Sequence, residues 1–298
     1  MAKSKSFFGL RRGSTKTLTF SVFNGKQVTK DRVESVKNPR SLAQMVQRMC
    51  MATASAAYAQ MKEIVDHSFE GVTYGLNNMS EFIRQNVKEI KAAANNPAGA
   101  VFAFNPYQDR NLYGGAFIMS AGSASPIPDA AIMVQVPNAD KVRVQFGIDS
   151  ESPNFSANDL FATLGISVGE MCTICFIAKK DTDATGTFGF VRLKAKAAGT
   201  ENLTAANYST YFDVESNLAI KVFQVGAGIA MFNVDVADVV EGGDIEYCAI
   251  HSVKANNGWL RSNAVMKING YTLAPAFEDA IATYPVGESY VLNGGNIE

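Results

Sequence analysis

From residue 98 onward the chain is a succession of apolar runs, each four to ten residues long, separated by clusters of Gly, Pro, Asn and Ser. Runs of that length bounded by turn formers read as strands, and regular spacing of many such strands favours an antiparallel sandwich or a partly open barrel. The candidate strands are residues 116–120, 130–136, 141–148, 171–178, 188–195, 219–225, 229–234, 244–253 and 264–268, with a last one at 289–292. Residues 158–164 and 275–283 read as short helices between them. No run approaches the roughly 20 residues of a membrane-spanning helix, so no membrane partner is expected. With 298 residues, 47% of them hydrophobic, the chain can bury a large core.

The first 97 residues have a different character. Leu18, Phe20 and Val22 alternate with Thr17, Thr19 and Ser21, and the stretch runs into Asn24-Gly25. That dipeptide supplies the positive φ angles of a tight type I′ turn, so a hairpin is predicted, its second strand over 26–36. Asn38-Pro39 then caps a long helix in which Leu42, Met45, Val46, Met49, Met61 and Ile64 recur at helical spacing, ending near His67. A second helix is predicted over 79–94, burying Phe82, Ile83, Val87 and Ile90. The expected fold class is α+β: a basic hairpin and helical region over 1–97, then a β-sandwich domain over 98–298.

Charge divides the chain as well, nearer residue 50. The first 50 residues carry eleven Lys and Arg against Asp31 and Glu34, a net of +9, while the rest carries sixteen basic and twenty-six acidic groups, a net of −10. A basic arm on an acidic body favours contact with a polyanion or with the acidic surface of a neighbouring copy. The residues expected to make such contacts are Arg11, Arg12, Lys16, Lys26, Lys30, Arg32, Lys37, Arg40 and Arg48. They lie near Phe7, Phe8, Phe20 and Phe23, a basic and aromatic mixture suited to holding phosphates without reading base sequence.

Residue patterns that announce catalysis are scarce. Cys172 and Cys175 form a CxxC, but within a strand residues three apart face opposite sides, so the pair reads as structural thiols rather than a metal or redox site. His67 is placed at a helix C-terminus, where a ring can cap carbonyls, and His251 on a strand. Asp181 and Asp183 share a loop without the ligand series of a calcium site. The glycine-rich pieces 114–115, 226–228 and 294–295 match no nucleotide-binding pattern. No cofactor, no metal and no enzymatic activity are expected. The apolar stretch after Lys5 is too short for a signal peptide, so synthesis in a bacterial cytoplasm is expected. Two hairpins look alike, one containing Cys175 and leading to Phe190-Val191-Arg192, the other containing Cys248 and leading to Trp259-Leu260-Arg261; a duplication would place Arg192 and Arg261 in equivalent positions.

Five stretches in order, Phe8-Gly-Leu-Arg-Arg-Gly-Ser, Asn38-Pro-Arg-Ser-Leu-Ala-Gln-Met-Val-Gln-Arg, His67-Ser-Phe-Glu-Gly-Val-Thr-Tyr-Gly, Gly258-Trp-Leu-Arg-Ser and Tyr290-Val-Leu-Asn-Gly-Gly, resemble an uncharacterised family encoded by gut anaerobic bacteria and their phages. The resemblance implies no activity or cofactor; it implies a mobile-element context and a structural turn over 67–75, with Phe69 and Tyr74 anchoring it to the core. The expected function is therefore a self-assembling structural protein, a bacteriophage capsid or capsid-associated protein found in the virion. Its expected partners are further copies of itself, other virion proteins and non-specific nucleic acid. Two alternatives are a nucleic-acid-binding accessory protein of a mobile element and a ligand-binding β-sandwich using Trp259, Tyr208 and Tyr211 as exposed aromatics.

Overall fold

The computed structural model describes residues 13–14, 18–23, 26–31, 42–72, 76–94, 117–149, 154–179, 186–239, 241, 245–256 and 258–266. The N-terminal elements are β1 (Gly13–Ser14), β2 (Leu18–Phe23), β3 (Lys26–Asp31), α1 (Leu42–Val65) and α2 (Leu76–Ala94). Then follow β4 (Phe117–Ser120), β5 (Ile132–Asn138), β6 (Lys141–Gly147), α3 (Ala157–Leu164), β7 (Met171–Lys179) and β8 (Gly186–Ala195). The remaining elements are α4 (Tyr208–Tyr211), β9 (Phe212–Ser216), β10 (Ile220–Gly226), β11 (Ile229–Asp235), β12 (Ile245–Ala255), β13 (Gly258–Arg261) and β14 (Ala264–Met266).

The strands form four antiparallel sheets: β1-β2-β3, β10-β11-β6-β5, β13-β12-β7-β8-β9 and the ribbon β14-β4. The architecture is α+β, with a β-sandwich that does not close into a barrel. The four- and five-stranded sheets pack face to face. In β5, Ile132, Val134 and Val136 are buried while Met133 and Gln135 are exposed, the alternation of a sheet with one face inward. Val142, Val144 and Phe146 of β6 and Phe232 and Val234 of β11 continue that inner face. Opposite them stand Cys172, Ile174 and Phe176 of β7 with Val191 and Leu193 of β8, and α3 closes one end through Leu160, Phe161 and Leu164. A Ser156–Asp159 capping box starts α3, and Gly165 ends it at φ 66°, where a side chain would be strained.

The five-stranded sheet has a second covered face. Cys175, Ile177, Phe188, Phe190, Cys248 and Ile250 point away from the sandwich into another core. That core receives Cys50, Ala54, Ala57, Tyr58, Met61, Ile64 and Val65 of α1 and Phe82 and Ile90 of α2, each helix presenting one stripe at helical spacing. Phe117 and Met119 of β4 and Met266 of β14 complete it. Phe82 is its hub, with ring centroids 5.9 Å from Tyr58, 6.4 Å from Phe69 and 6.2 Å from Phe117. With apolar surface on both sides, β7 reads as a nearly continuous apolar run rather than an alternating one.

Two polar devices tie the helices to the ribbon. Asn86 of α2 is fully buried; its Nδ2 donates to the Ile118 carbonyl at 3.1 Å and its Oδ1 accepts from the Ile118 N–H at 2.7 Å, so the side chain pairs with β4 as a strand would. After α1, His67 takes a left-handed conformation (φ 65°), Phe69 enters the core and Glu70 turns back. Glu70 Oε1 accepts from Ser123 N at 2.7 Å, Ser123 Oγ at 3.1 Å and Arg261 N at 3.2 Å, joining this turn to β13. Phe69 anchors the turn as expected; Tyr74 lies outside the described residues.

The predicted elements agree with the structure in type, with small shifts at their ends. Unanticipated are β1, α4 and the edge strand β9. The predicted helix at 275–283, the strand at 289–292 and residues 32–36 of the second arm strand lie outside the described residues.

Replacing Asn86 by Ala leaves two backbone groups of β4 without partners, with an expected loss of about 2–3 kcal/mol read as a lower urea midpoint at unchanged m-value. Hydrogen bonds from Ser123, opposed by some desolvation, hold the Glu70 carboxyl below the ordinary glutamate range. A folded-state pKa below the unfolded one gives stability that is present above the unfolded pKa and disappears as pH falls towards the folded one. The urea midpoints of wild type and Glu70→Gln are therefore expected to differ at pH 7 and converge on acidification; parallel pH profiles would refute the assignment.

Candidate subunit and nucleic-acid interface

The basic arm is built on β1-β2-β3. The β2–β3 register sets Phe23 opposite Lys26, leaving two connecting residues as the Asn-Gly signal predicts; Asn24 and Gly25 themselves lie outside the described residues. Because directly opposed residues share a face, Leu18, Phe20 and Val22 lie on one side with Asp31, Thr29 and Gln27. Lys30, Val28 and Lys26 lie on the other with Thr19 and Ser21. Leu18, Phe20, Val22 and Val28 are only half-buried, Lys26 and Lys30 are exposed, and no described side chain of the ribbon is buried. The ribbon thus has an apolar side and a cationic side and encloses no core of its own.

Of the nine predicted contact residues, Lys26 and Lys30 share the cationic side of this ribbon. Arg48 belongs to α1, about 20 positions further along the chain. Arg11, Arg12, Lys16, Arg32, Lys37 and Arg40 lie outside the described residues.

The residues considered for chemistry are placed as follows. Cys172 and Cys175 face opposite cores, so one ion cannot be held by both. Across the β7–β12 pairing, however, Cys175 stands directly opposite Cys248, a proximity that sequence spacing does not reveal. Burial pushes the Cys175 thiol well up from its ordinary range, and the neighbouring Cys248 adds to the effect; burial alone raises Cys172. His251 is buried, with Nδ1 2.8 Å from the Ser125 carbonyl and Nε2 3.0 Å from Glu170 Oε2. Both ring nitrogens lie within hydrogen-bond distance of protein oxygens. The ring is a tie between β12, the turn before β7 and the segment leading to β5.

The aromatics weighed as a ligand platform do not form one. Trp259 sits on edge strand β13, whereas Tyr208 and Tyr211 precede β9 at the opposite edge of the same sheet. Tyr211 is buried and donates to Glu201 at 3.0 Å, and Tyr208 packs 5.3 Å from Phe212, so a platform of exposed aromatics is corrected to two separate packing sites. Among the described residues no group of three or more His, Cys, Asp or Glu could hold a metal ion, and no helix is long and apolar enough to cross a membrane.

Arg192 and Arg261, the two arginines of the look-alike hairpins, occur on the same face of the five-stranded sheet without being equivalent. Arg192 is opposite Thr173, two residues before Cys175, while Arg261 is opposite Ser252, four residues after Cys248. The sequence signal for a wider basic strip was the alternation Arg192, Lys194 and Lys196 in and after β8.

Comparisons of the chain with protein-family models, curated proteins and solved structures find no match.

Cys50, Cys172 and Cys175 are fully buried and Cys248 nearly so. An aqueous thiol reagent is expected to label the folded protein slowly at all four and quickly once urea unfolds it. A thiol that reacts at once under native conditions would contradict this packing.

Proposed function

We propose that the protein is a non-enzymatic, self-associating structural component of a virion, a bacteriophage capsid or capsid-associated protein. The observation that carries this reading is the two-sided ribbon: an arm with a half-exposed apolar side formed by Leu18, Phe20 and Val22 and a cationic side bearing Lys26 and Lys30. A three-stranded ribbon with no buried side chain among its described residues gains stability by seating its apolar side on another surface. The charge division supplies the direction, since an arm region of net +9 is attracted to a body of net −10 on a neighbouring copy. The phage context rests on the family resemblance of the five quoted stretches.

The cationic side of the same ribbon supports a second reading, contact with the phosphates of nucleic acid by an accessory protein of a mobile element. The two readings separate by mass. Size-exclusion chromatography with light scattering and dual-wavelength absorbance on the full-length protein is expected to show a large assembly of defined mass. That assembly should shrink as salt rises, because exposed charges are screened within about 8 Å at physiological ionic strength. A monomer or dimer carrying nucleic acid would favour the second reading. A monomer free of nucleic acid at low salt would overturn both.

A further inference from the structure

The helix-side face of the five-stranded sheet changes character along its strands. Below α1 and α2 it carries Cys175, Phe190, Cys248 and Ile250; beyond them it gathers cations, with Asp213 opposite Lys194 and Glu215 opposite Arg192 at the β9 edge. The registers set Arg261 opposite Ser252, Ser252 opposite Met171 and Met171 opposite Lys194, so these share one row. Arg192, opposite Thr173, falls in the adjacent row, and Lys254, opposite Trp259, lies just beyond Ser252. Alternation along each strand puts Arg192, Lys194, Lys254, Trp259 and Arg261 on one face. Lys194 and Lys254 are exposed, while the two arginines and Trp259 are half-buried.

The hydrogen bonding of this strip is incomplete. Arg192 Nη1 is 3.1 Å from Glu215 and its Nε donates to Thr173 Oγ1 at 3.3 Å. Arg261 Nη1 donates to the buried Ser252 hydroxyl, but its Nε is buried without an acceptor. Among the described residues no carboxylate forms an ion pair with Arg261, Lys194 or Lys254. Thr173 is opposite Ile250, two residues from Ser252, which makes the two hydroxyl anchors diagonal neighbours with Cα atoms about 7–8 Å apart. The guanidiniums are close enough to repel: burial first, and the charge of Arg192 second, bring Arg261 down to about 10.

We propose that this strip binds a phosphoryl oxyanion, held between Arg192 and Arg261 with Lys194 and Lys254 at its rim and Trp259 beside it. Such a group neutralises two like charges at once and takes charge-assisted bonds from several directions. A single carboxylate offers fewer acceptors and half the charge of a phosphate dianion. The site is remote in sequence from the arm and stands independently of the self-assembly reading. Its ligand is either free phosphate or a phosphodiester of single-stranded nucleic acid, for which the half-buried Trp259 adds a stacking surface.

Trp259 is the only tryptophan and lies 5.9 Å from the Arg261 guanidinium, which makes its fluorescence a reporter. The full-length protein, with and without Arg11→Glu, Arg12→Glu and Lys16→Glu to silence the arm, is titrated with sodium phosphate and with a short oligothymidylate at constant ionic strength. Phosphate is expected to give a saturable fluorescence change and a higher thermal midpoint in both proteins. Affinity should fall about tenfold or more in Arg261→Lys, which loses the planar, forked guanidinium, and in the surface pair Lys194→Gln with Lys254→Gln. Oligothymidylate that competes with phosphate in the arm-silenced protein identifies nucleic acid as the source; oligothymidylate that does not compete identifies free phosphate. No change of fluorescence or midpoint with either probe, or unaltered affinity in both variants, overturns the proposal.

Discussion

Every side chain of β7 from Met171 to Ala178 is buried, with Cys172, Ile174, Phe176 and Ala178 in one core and Cys175 and Ile177 in the other. Pairing with β12 on one side and β8 on the other satisfies its backbone, so the strand has no solvent-facing surface left. The sandwich holds one face of it and the helices hold the other. Loss of either layer would expose the apolar side chains of β7 and its neighbours to water, at roughly 25 cal/mol for each Å² uncovered. The helical segment and the β-rich segment are therefore energetically joined through one sheet, even though composition divides the chain near residue 97 and charge near residue 50.

This arrangement also explains which strands were legible. A strand buried on both faces announces itself by an unbroken apolar run, as in Met171 to Ala178, and a strand buried on one face by alternation, as in Ile132 to Val136. The edge strand β9 offers only Phe212 and Val214 alternating with Asp213, Glu215 and Ser216, and acids are depleted in strands, so its strand signal is weak. Its acids have a purpose at an edge: Asp213 meets Lys196 at 3.0 Å and Glu215 meets Arg192 at 3.1 Å. The opposite facing of Cys172 and Cys175 followed from strand geometry alone. Their different neighbours did not, because Cys248 lies more than 70 residues from Cys175 and only the β7–β12 register brings them together.

The candidate contacts divide in a similar way. Net charge drew attention to the arm, where Lys26 and Lys30 do share one side of a ribbon. The strip around Arg261 is diluted in the sequence by the acidic body and becomes visible only when residues from β8, β12 and β13 are set in rows. The look-alike hairpins pointed to the right two arginines for a reason the structure does not support, since Arg192 and Arg261 differ in register. What they share is a face, and a face is the property that matters for a common ligand.

The hydrogen bonds between Asn86 and Ile118 have a meaning for association as well as for stability. A strand at a sheet margin offers a template on which another chain can add itself, and proteins held at high local concentration are the most exposed to that accident. By occupying both backbone groups of Ile118, a single buried amide on α2 closes that position of β4 to strand addition. A chain built to gather many copies through an arm would gain selectivity from such a block, because growth by strand addition at β4 would compete with the intended contact and leave assemblies without a fixed end.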